Sequence, residues 1–168
     1  MEKRNVLFVM SSLRNGGAER SLVNLLQLLD YDRYNVDLLL FQNEGLFLKQ
    51  VPKAVNIISN CNKLYTLYDN NKAEALKHPY LSAIHMIGTF ISRKKTNSVA
   101  KSRQYRWEHF YKKIVPELTK EYDVAIAYMQ REQTYFLVDK VKAAKKIAWV
   151  HNEYSQLGHF KEMDLEYF

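Results

Sequence analysis

Apolar positions in this chain fall into two kinds of segment, short unbroken runs and longer stretches at helical spacing. Val6 to Met10 is an unbroken run, the signature of a strand buried on both faces. It ends in the turn-rich loop Ser11-Ser12-Leu13-Arg14-Asn15-Gly16-Gly17. Beyond the loop, Ala18, Leu22, Leu25, Leu26 and Leu29 share one helical face, with Glu19, Arg20, Asn24 and Gln27 elsewhere. Val36 to Phe41 is a second buried run, so the opening reads as a strand–helix–strand unit with a right-handed crossover. Val55 to Ile58 predicts a short third strand. Residues 60–78 are polar and poorly periodic, with a turn at Asn70-Asn71. Pro79 is placed to open a helix in which Leu81, Ile84, Ile87 and Ile91 recur at helical spacing. Trp107, Phe110, Tyr111, Ile114 and Leu118 give another apolar helical face, bent or interrupted at Pro116. Asp123 to Tyr128 predicts a fourth strand, Gln133 to Val141 a helix, and Lys146 to Val150 a fifth strand followed by His151-Asn152-Glu153. Strands alternating with helices predict an α/β domain with a mostly parallel sheet.

Charge changes this picture at one place. The 168 residues carry 25 Lys and Arg against 18 Asp and Glu, a net charge of +7. Arg93, Lys94, Lys95, Lys101, Arg103, Arg106, Lys112 and Lys113 are opposed between positions 93 and 113 only by Glu108, so this stretch holds the whole excess. The rest of the chain is neutral, unlike a globally basic protein. The patch lies in a helical insertion expected over about residues 79–120, between the third and fourth strands. Three readings of it stand side by side. Its bases and interleaved aromatics (Tyr105, Trp107, Phe110, Tyr111) suit nucleic-acid phosphates and bases, or an anionic membrane surface, or simply a solvated helix face over a core. Nucleic acid ranks last, because no fold-level motif for it is present.

Other bulk features exclude classes. A hydrophobic share of 47% rules out disorder. A single cysteine, Cys61, cannot form an intrachain disulfide and suits a reducing, cytoplasmic setting. No apolar stretch approaches the ~20 residues of a spanning helix, and the apolar run near the start is too short for a signal peptide. His78, His85, His109, His151 and His159 form no metal-ligand pattern, so neither metal nor cofactor is expected. No nucleophile elbow is present, and neither is a P-loop or the Gly-x-Gly-x-x-Gly fingerprint.

Two places remain for chemistry. Asn15, Gly16 and Gly17 lead into a helix start, where unpaired N–H groups and the positive dipole end suit a phosphate; the competing reading is a turn that needs glycine for its backbone geometry. His151, with Asn152 and Glu153, follows a late strand, where ligands of open α/β sheets bind; the competing reading is an ordinary loop histidine.

The run Gly16-Gly17-Ala18-Glu19-Arg20 after the first strand resembles the opening of glycosyltransferase family 4, retaining transferases of the GT-B fold. Tyr122 to Tyr128 and Lys145 to Tyr154, with Trp149-Val150-His151-Asn152, are similar to the same family, particularly to bacterial polysaccharide-building members. The resemblance covers the two ends and not residues 60–120. It implies a Rossmann-like three-layer domain, the acceptor-side half of a GT-B enzyme. It further implies that the Gly16-Gly17 loop lines the cleft near the donor diphosphate, that Glu19 and Arg20 orient that loop or touch acceptor, and that His151 reaches the transferred sugar. Tyr128, Asn152 and Glu153 are candidates for the acceptor side. A nucleotide-sugar donor, a glycan or lipid-linked acceptor and no metal are implied, at the cytoplasmic side of a membrane. A full family member has a second half carrying a Glu-x₇-Glu motif, which this sequence does not contain, so the chain is expected to be inactive alone. The alternatives are a non-enzymatic α/β module binding a nucleotide or anionic surface, and a sugar-nucleotide epimerase of similar architecture.

Overall fold

The computed structural model describes residues 2–58, Leu67, 76–153, Asp164, Leu165 and Tyr167. The expected irregular stretch over 60–78, with its Asn70-Asn71 turn, lies outside the described residues apart from Leu67 and 76–78. The chain divides into two compact units, one built from Met1–Asn60 with Glu117–His151 and the other from Cys61–Pro116 with Asn152–Phe168.

The first unit is a Rossmann-like α/β domain, as the alternation predicts. Its elements are β1 (Arg4–Met10), α1 (Gly17–Leu28), β2 (Tyr34–Leu40) and β3 (Asn56–Ile58), and after the second unit it resumes with β4 (Glu121–Ala127), a helix over Glu132–Lys140 and β5 (Lys142–Ala148). All five strands are parallel, in the order β3-β2-β1-β4-β5. In β1 and β2 the last five residues are all buried, which is why they are apolar apart from Asp37 of β2. Val6, Phe8 and Met10 pack with Leu22, Val23 and Leu26 of α1 and with Val36, Leu38 and Leu40 of β2 in one core cluster.

Edge strands followed the expectation less closely. β5 starts at Lys142 and ends at Ala148, so Trp149 and Val150 lie beyond it and are exposed. The reason is its position. With β4 as its one partner, β5 needs no continuous apolar run, and Lys142, Ala144, Lys145 and Lys146 stay in solvent.

The second unit contains α2 (Pro79–Lys95), α3 (Val99–Arg106) and a π-helical turn over Trp107–Tyr111; the helix over Glu132–Lys140 in the first unit is hereafter α4. Pro79 opens α2 as expected. The buried positions of α2 are Leu81, Gly88 and Ser92, whereas Ile87 is 54% exposed. The expected stripe through Ile84, Ile87 and Ile91 is therefore displaced. Gly88 lies on the buried side, where a Cβ would meet the ring of Phe110 at 3.4 Å, a van der Waals contact. The apolar face over Trp107–Leu118 is also not one helix. Lys112 N–H donates to Trp107 C=O at 2.9 Å, an i→i+5 bond that inserts a residue into the turn. That extra residue puts both Trp107 and Tyr111 in the core, and Ile114 and Leu118 fall outside the helix.

One polar cluster sits inside the first unit. Asp37, buried on β2, accepts from Lys120 Nζ at 2.9 Å, Tyr122 Oη at 2.7 Å and Asn56 Nδ2 at 2.9 Å. Burial pushes its carboxyl up, but the bonds from Lys120, Asn56 and Tyr122 and the Lys120 charge outweigh this and hold it below its usual value. Burial, then the bond and charge of Asp37, push the Tyr122 phenol above its usual range. Asp37 therefore contributes stability that is full above its ordinary pKa of 3.8 and fades as pH falls through its lower folded value. Tyr122 contributes below its ordinary 10.0 and loses that contribution as pH rises through its folded value. Asp37→Asn is expected to lower the unfolding free energy at pH 7 by about 1.5–3 kcal/mol and to flatten the acid limb of stability against pH. Denaturant melts from acid to neutral pH check this, and an unchanged acid limb counts against the cluster.

Candidate functional site

β1 pairs with β2 on one side and β4 on the other, so the chain leaves the sheet in opposite directions at the C-terminal ends of β1 and β4. Ligands of open α/β sheets bind at this switch point. Three segments converge on it: the β1–α1 loop, the stretch from Tyr128 to Gln133, and Trp149 to His151.

The β1–α1 loop is held by its neighbours. Leu13 N–H donates to Glu44 C=O at 3.0 Å, Phe47 N–H to Leu13 C=O at 3.1 Å and Leu46 N–H to Arg14 C=O at 3.2 Å. The Arg14 side chain adds a bond to Glu44 at 2.8 Å. Gly45 makes this possible. Its φ is +129°, and a Cβ there would stand 1.9 Å from the Leu13 carbonyl oxygen. The sequence reading missed Gly45; its signal was a Glu-Gly turn after the second strand.

Gly16 and Gly17 behave differently. Gly16 caps α1 at φ −88°, ψ 165°, ordinary for any residue, and a Cβ on Gly17 would meet nothing within 4 Å. The turn-geometry reading of these glycines therefore has no support in their backbone. No side chain caps the helix. Its first bond is Arg20 N–H to Gly16 C=O at 3.1 Å, which leaves the N–H groups of the first turn without intrahelical acceptors. The Glu19 carboxylate folds back beside Gly16, favourably placed near the positive helix end. Asn15 and Arg20 are exposed.

Across the switch point, Tyr128 is buried and central. Its N–H donates to Val9 C=O at 3.0 Å, and its hydroxyl shares a hydrogen bond of 3.0 Å with Ser21 of α1. Its ring meets Phe8 at 6.2 Å, Trp149 at 5.0 Å and His151 at 4.8 Å, and Trp149 stacks near His151 at 5.8 Å. His151 sits three residues past β5, not directly at its end, held by a bond from its N–H to Gln130 Oε1 at 3.4 Å. Its Nε2 is buried with no hydrogen-bond partner among the described residues.

The missed site residues lie in Gln130-Arg131-Glu132-Gln133. This polar run directly follows a strand end, which was the available signal. Gln130, Glu132 and Gln133 are all buried. Gln133 Nε2 donates to Ser11 Oγ, tying α4 to the end of β1, while Gln133 Oε1 is buried without a partner among the described residues. Arg131 precedes α4 at φ +76°, a conformation that costs a non-glycine residue about 1–3 kcal/mol and clusters at functional sites.

Other expected residues lie elsewhere. Asn152 and Glu153 are exposed and belong to the second unit. The basic stretch does not form one exposed face. Arg93, Lys94, Lys95 and Lys113 are exposed, Lys101, Arg103 and Lys112 are half-buried, and Arg106 is buried at 8% exposure. Trp107 and Tyr111 are core residues, so they are not a stacking platform for bases. Among the described residues no group of three or more His, Cys, Asp or Glu is placed to hold a metal, and no helix is long and apolar enough to cross a membrane. Comparison of the chain with known protein families, with curated proteins and with solved structures returned no match.

The glycines give a direct check. Gly17→Ala is expected to leave stability unchanged or raise it by about 0.4–1 kcal/mol, since nothing meets the new methyl group. Gly45→Ala is expected to cost about 3 kcal/mol or more. Urea midpoints of the two variants compare them, and a large loss from Gly17→Ala would make Gly17 a structural glycine after all.

Proposed function

We propose that the first unit is the acceptor-side half of a retaining sugar transferase, which positions a glycan or lipid-linked acceptor against a nucleotide-sugar at the switch point. One observation carries the reading. His151 Nε2 and Gln133 Oε1 are both buried and unpartnered among the described residues, on segments that leave the C-terminal ends of the sheet. Buried polar atoms are almost always satisfied, so orphans on segments leaving the same sheet edge point to a polar ligand. A sugar fits their chemistry, because hydroxyl groups both donate and accept. The half-exposed Trp149 indole offers a flat apolar face for the C–H side of a sugar ring.

The uncapped start of α1 supplies the complementary element. Unpaired N–H groups and the helix dipole suit a diphosphate, and the open space at Gly17 gives it room. The Gly16–Arg20 run and the Trp149–Asn152 run are the motifs that resemble family 4 transferases, and Gly16–Arg20 and Trp149–His151 follow strands that end at the switch point. On this reading His151 contacts the transferred sugar and is not a general base. The donor nucleotide is held by a second α/β half.

Two measurements test the proposal. Purified chain incubated with a nucleotide-sugar and a polyprenyl-pyrophosphate-linked sugar is expected to transfer nothing; turnover would contradict the assignment to one half. Calorimetric titration with the lipid-linked sugar is expected to show binding that His151→Ala and Gly17→Leu each weaken by about tenfold, the loss of roughly 1.4 kcal/mol. Equal affinity in both variants would remove the crevice from the function.

A further inference from the structure

In the second unit, α2 ends on the basic turn Arg93-Lys94-Lys95 and the chain reverses through Thr96-Asn97-Ser98 into α3. Ser98 caps α3 without a side-chain bond, so the first-turn N–H groups of this eight-residue helix also lack a cap. Ser98, Val99 and Ser102 at this helix start line a hollow of about 430 Å³ whose walls also include Arg93, Arg103 and Arg106, with no acidic residue among the described ones.

Arg106 makes the hollow more than a surface dent. It is 92% buried, and a guanidinium stays charged at any pH a folded protein meets. Its stem lies against Gly88. Among the described residues it makes a single hydrogen bond, from Nη1 to Ser102 Oγ at 3.2 Å, and no ion pair. The protons in that chain are already committed. Ser92 Oγ donates to Thr89 C=O at 3.1 Å, so Ser102 Oγ must donate to Ser92 Oγ at 2.7 Å, and Ser102 serves Arg106 as acceptor. Arg106 Nε remains buried with no acceptor among the described residues. Burial of His85, helped by the Arg106 and Arg103 charges, outweighs its bond at the Leu67 C=O and holds the imidazole below its usual range. A buried charge without a counter-ion is strongly unfavourable, so the arrangement is complete only with an anion from outside the described chain.

We propose that this hollow binds a phosphate-type dianion, a phosphomonoester or pyrophosphate group. Three guanidinium groups, those of Arg93, Arg103 and Arg106, line the hollow beside a helix start. They match the several acceptor oxygens of a phosphate, which pairs with guanidinium forks and with helix N-terminal N–H groups. The hollow lies wholly within the second unit and does not rest on the sugar-transfer reading.

The test uses the whole chain with inorganic phosphate and pyrophosphate at constant ionic strength, followed by calorimetry and thermal melts. Pyrophosphate is expected to bind, and at twentyfold its Kd to raise the melting temperature by about 3–6 °C. Arg106→Gln and Arg103→Gln are each expected to weaken binding at least tenfold, while Lys113→Gln, outside the hollow, leaves it unchanged. In phosphate-free buffer Arg106→Gln is expected to melt no lower than the native chain, because it removes a buried charge that has no counter-ion among the described residues. Phosphatidylcholine vesicles with and without phosphatidic acid separate the sources. Vesicle binding that needs phosphatidic acid and is displaced by pyrophosphate identifies a lipid headgroup; pyrophosphate binding without vesicle binding identifies a soluble phosphate. No binding of either probe, or undiminished binding in Arg103→Gln, overturns the site. If Arg106→Gln fails to fold, Arg103→Gln carries the decision.

Discussion

The pairing of β1 with β2 on one edge and β4 on the other is the constraint on which the rest depends. Parallel strands place all their C-terminal ends on one side, and the reversal of strand order at β1 is where ligands of open α/β sheets bind. The β1–α1 loop, the Tyr128–Gln133 stretch and the Trp149–His151 segment come together because each follows a strand that ends at that edge. Tyr128 joins them physically: its N–H extends the ladder to Val9, its hydroxyl reaches Ser21 and its ring packs on Trp149 and His151.

The central strands and their helices were legible because their physics is local. Burial on both faces makes β1 and β2 apolar over most of their length, with Asp37 the buried exception, and one-sided packing gives α1 its 3.6-residue period. Where burial follows from tertiary context, the reading slipped. β5 has one neighbour, so its exposed lysines concealed a strand and shifted its expected position toward Val150. In α2 the buried stripe runs through a glycine, which hydrophobic periodicity does not score. The extra residue at Trp107–Tyr111 rotates the apolar face, and only an i→i+5 bond reveals it.

The candidate site was half visible in the same way. His151 and the Gly16-Gly17 loop were singled out from their places after strands, and Tyr128 alongside the family resemblance. Gln130 and Gln133 were not, since glutamines in a helix-starting stretch look like surface. Arg106 is the sharpest difference. In sequence it is one of eight bases in a charged run; in the structure it is buried while Arg93, Lys94 and Lys95 stay in solvent. Charge counting sees the run, but only packing distinguishes a solvated base from one enclosed with no counter-ion among the described residues.

The central claim is that the crevice at the switch point is occupied by a polar ligand and is not merely a place where loops meet. Amide and indole N–H chemical shifts of the isotope-labelled chain, recorded while a polyprenyl-pyrophosphate-linked sugar is added, test it most directly. The account predicts saturable shifts concentrated at Gly17, Ala18, Gln130, Gln133, Trp149 and His151, with the N-terminal ends of the strands unmoved. Shifts scattered over the surface, or none at saturating ligand, would contradict it.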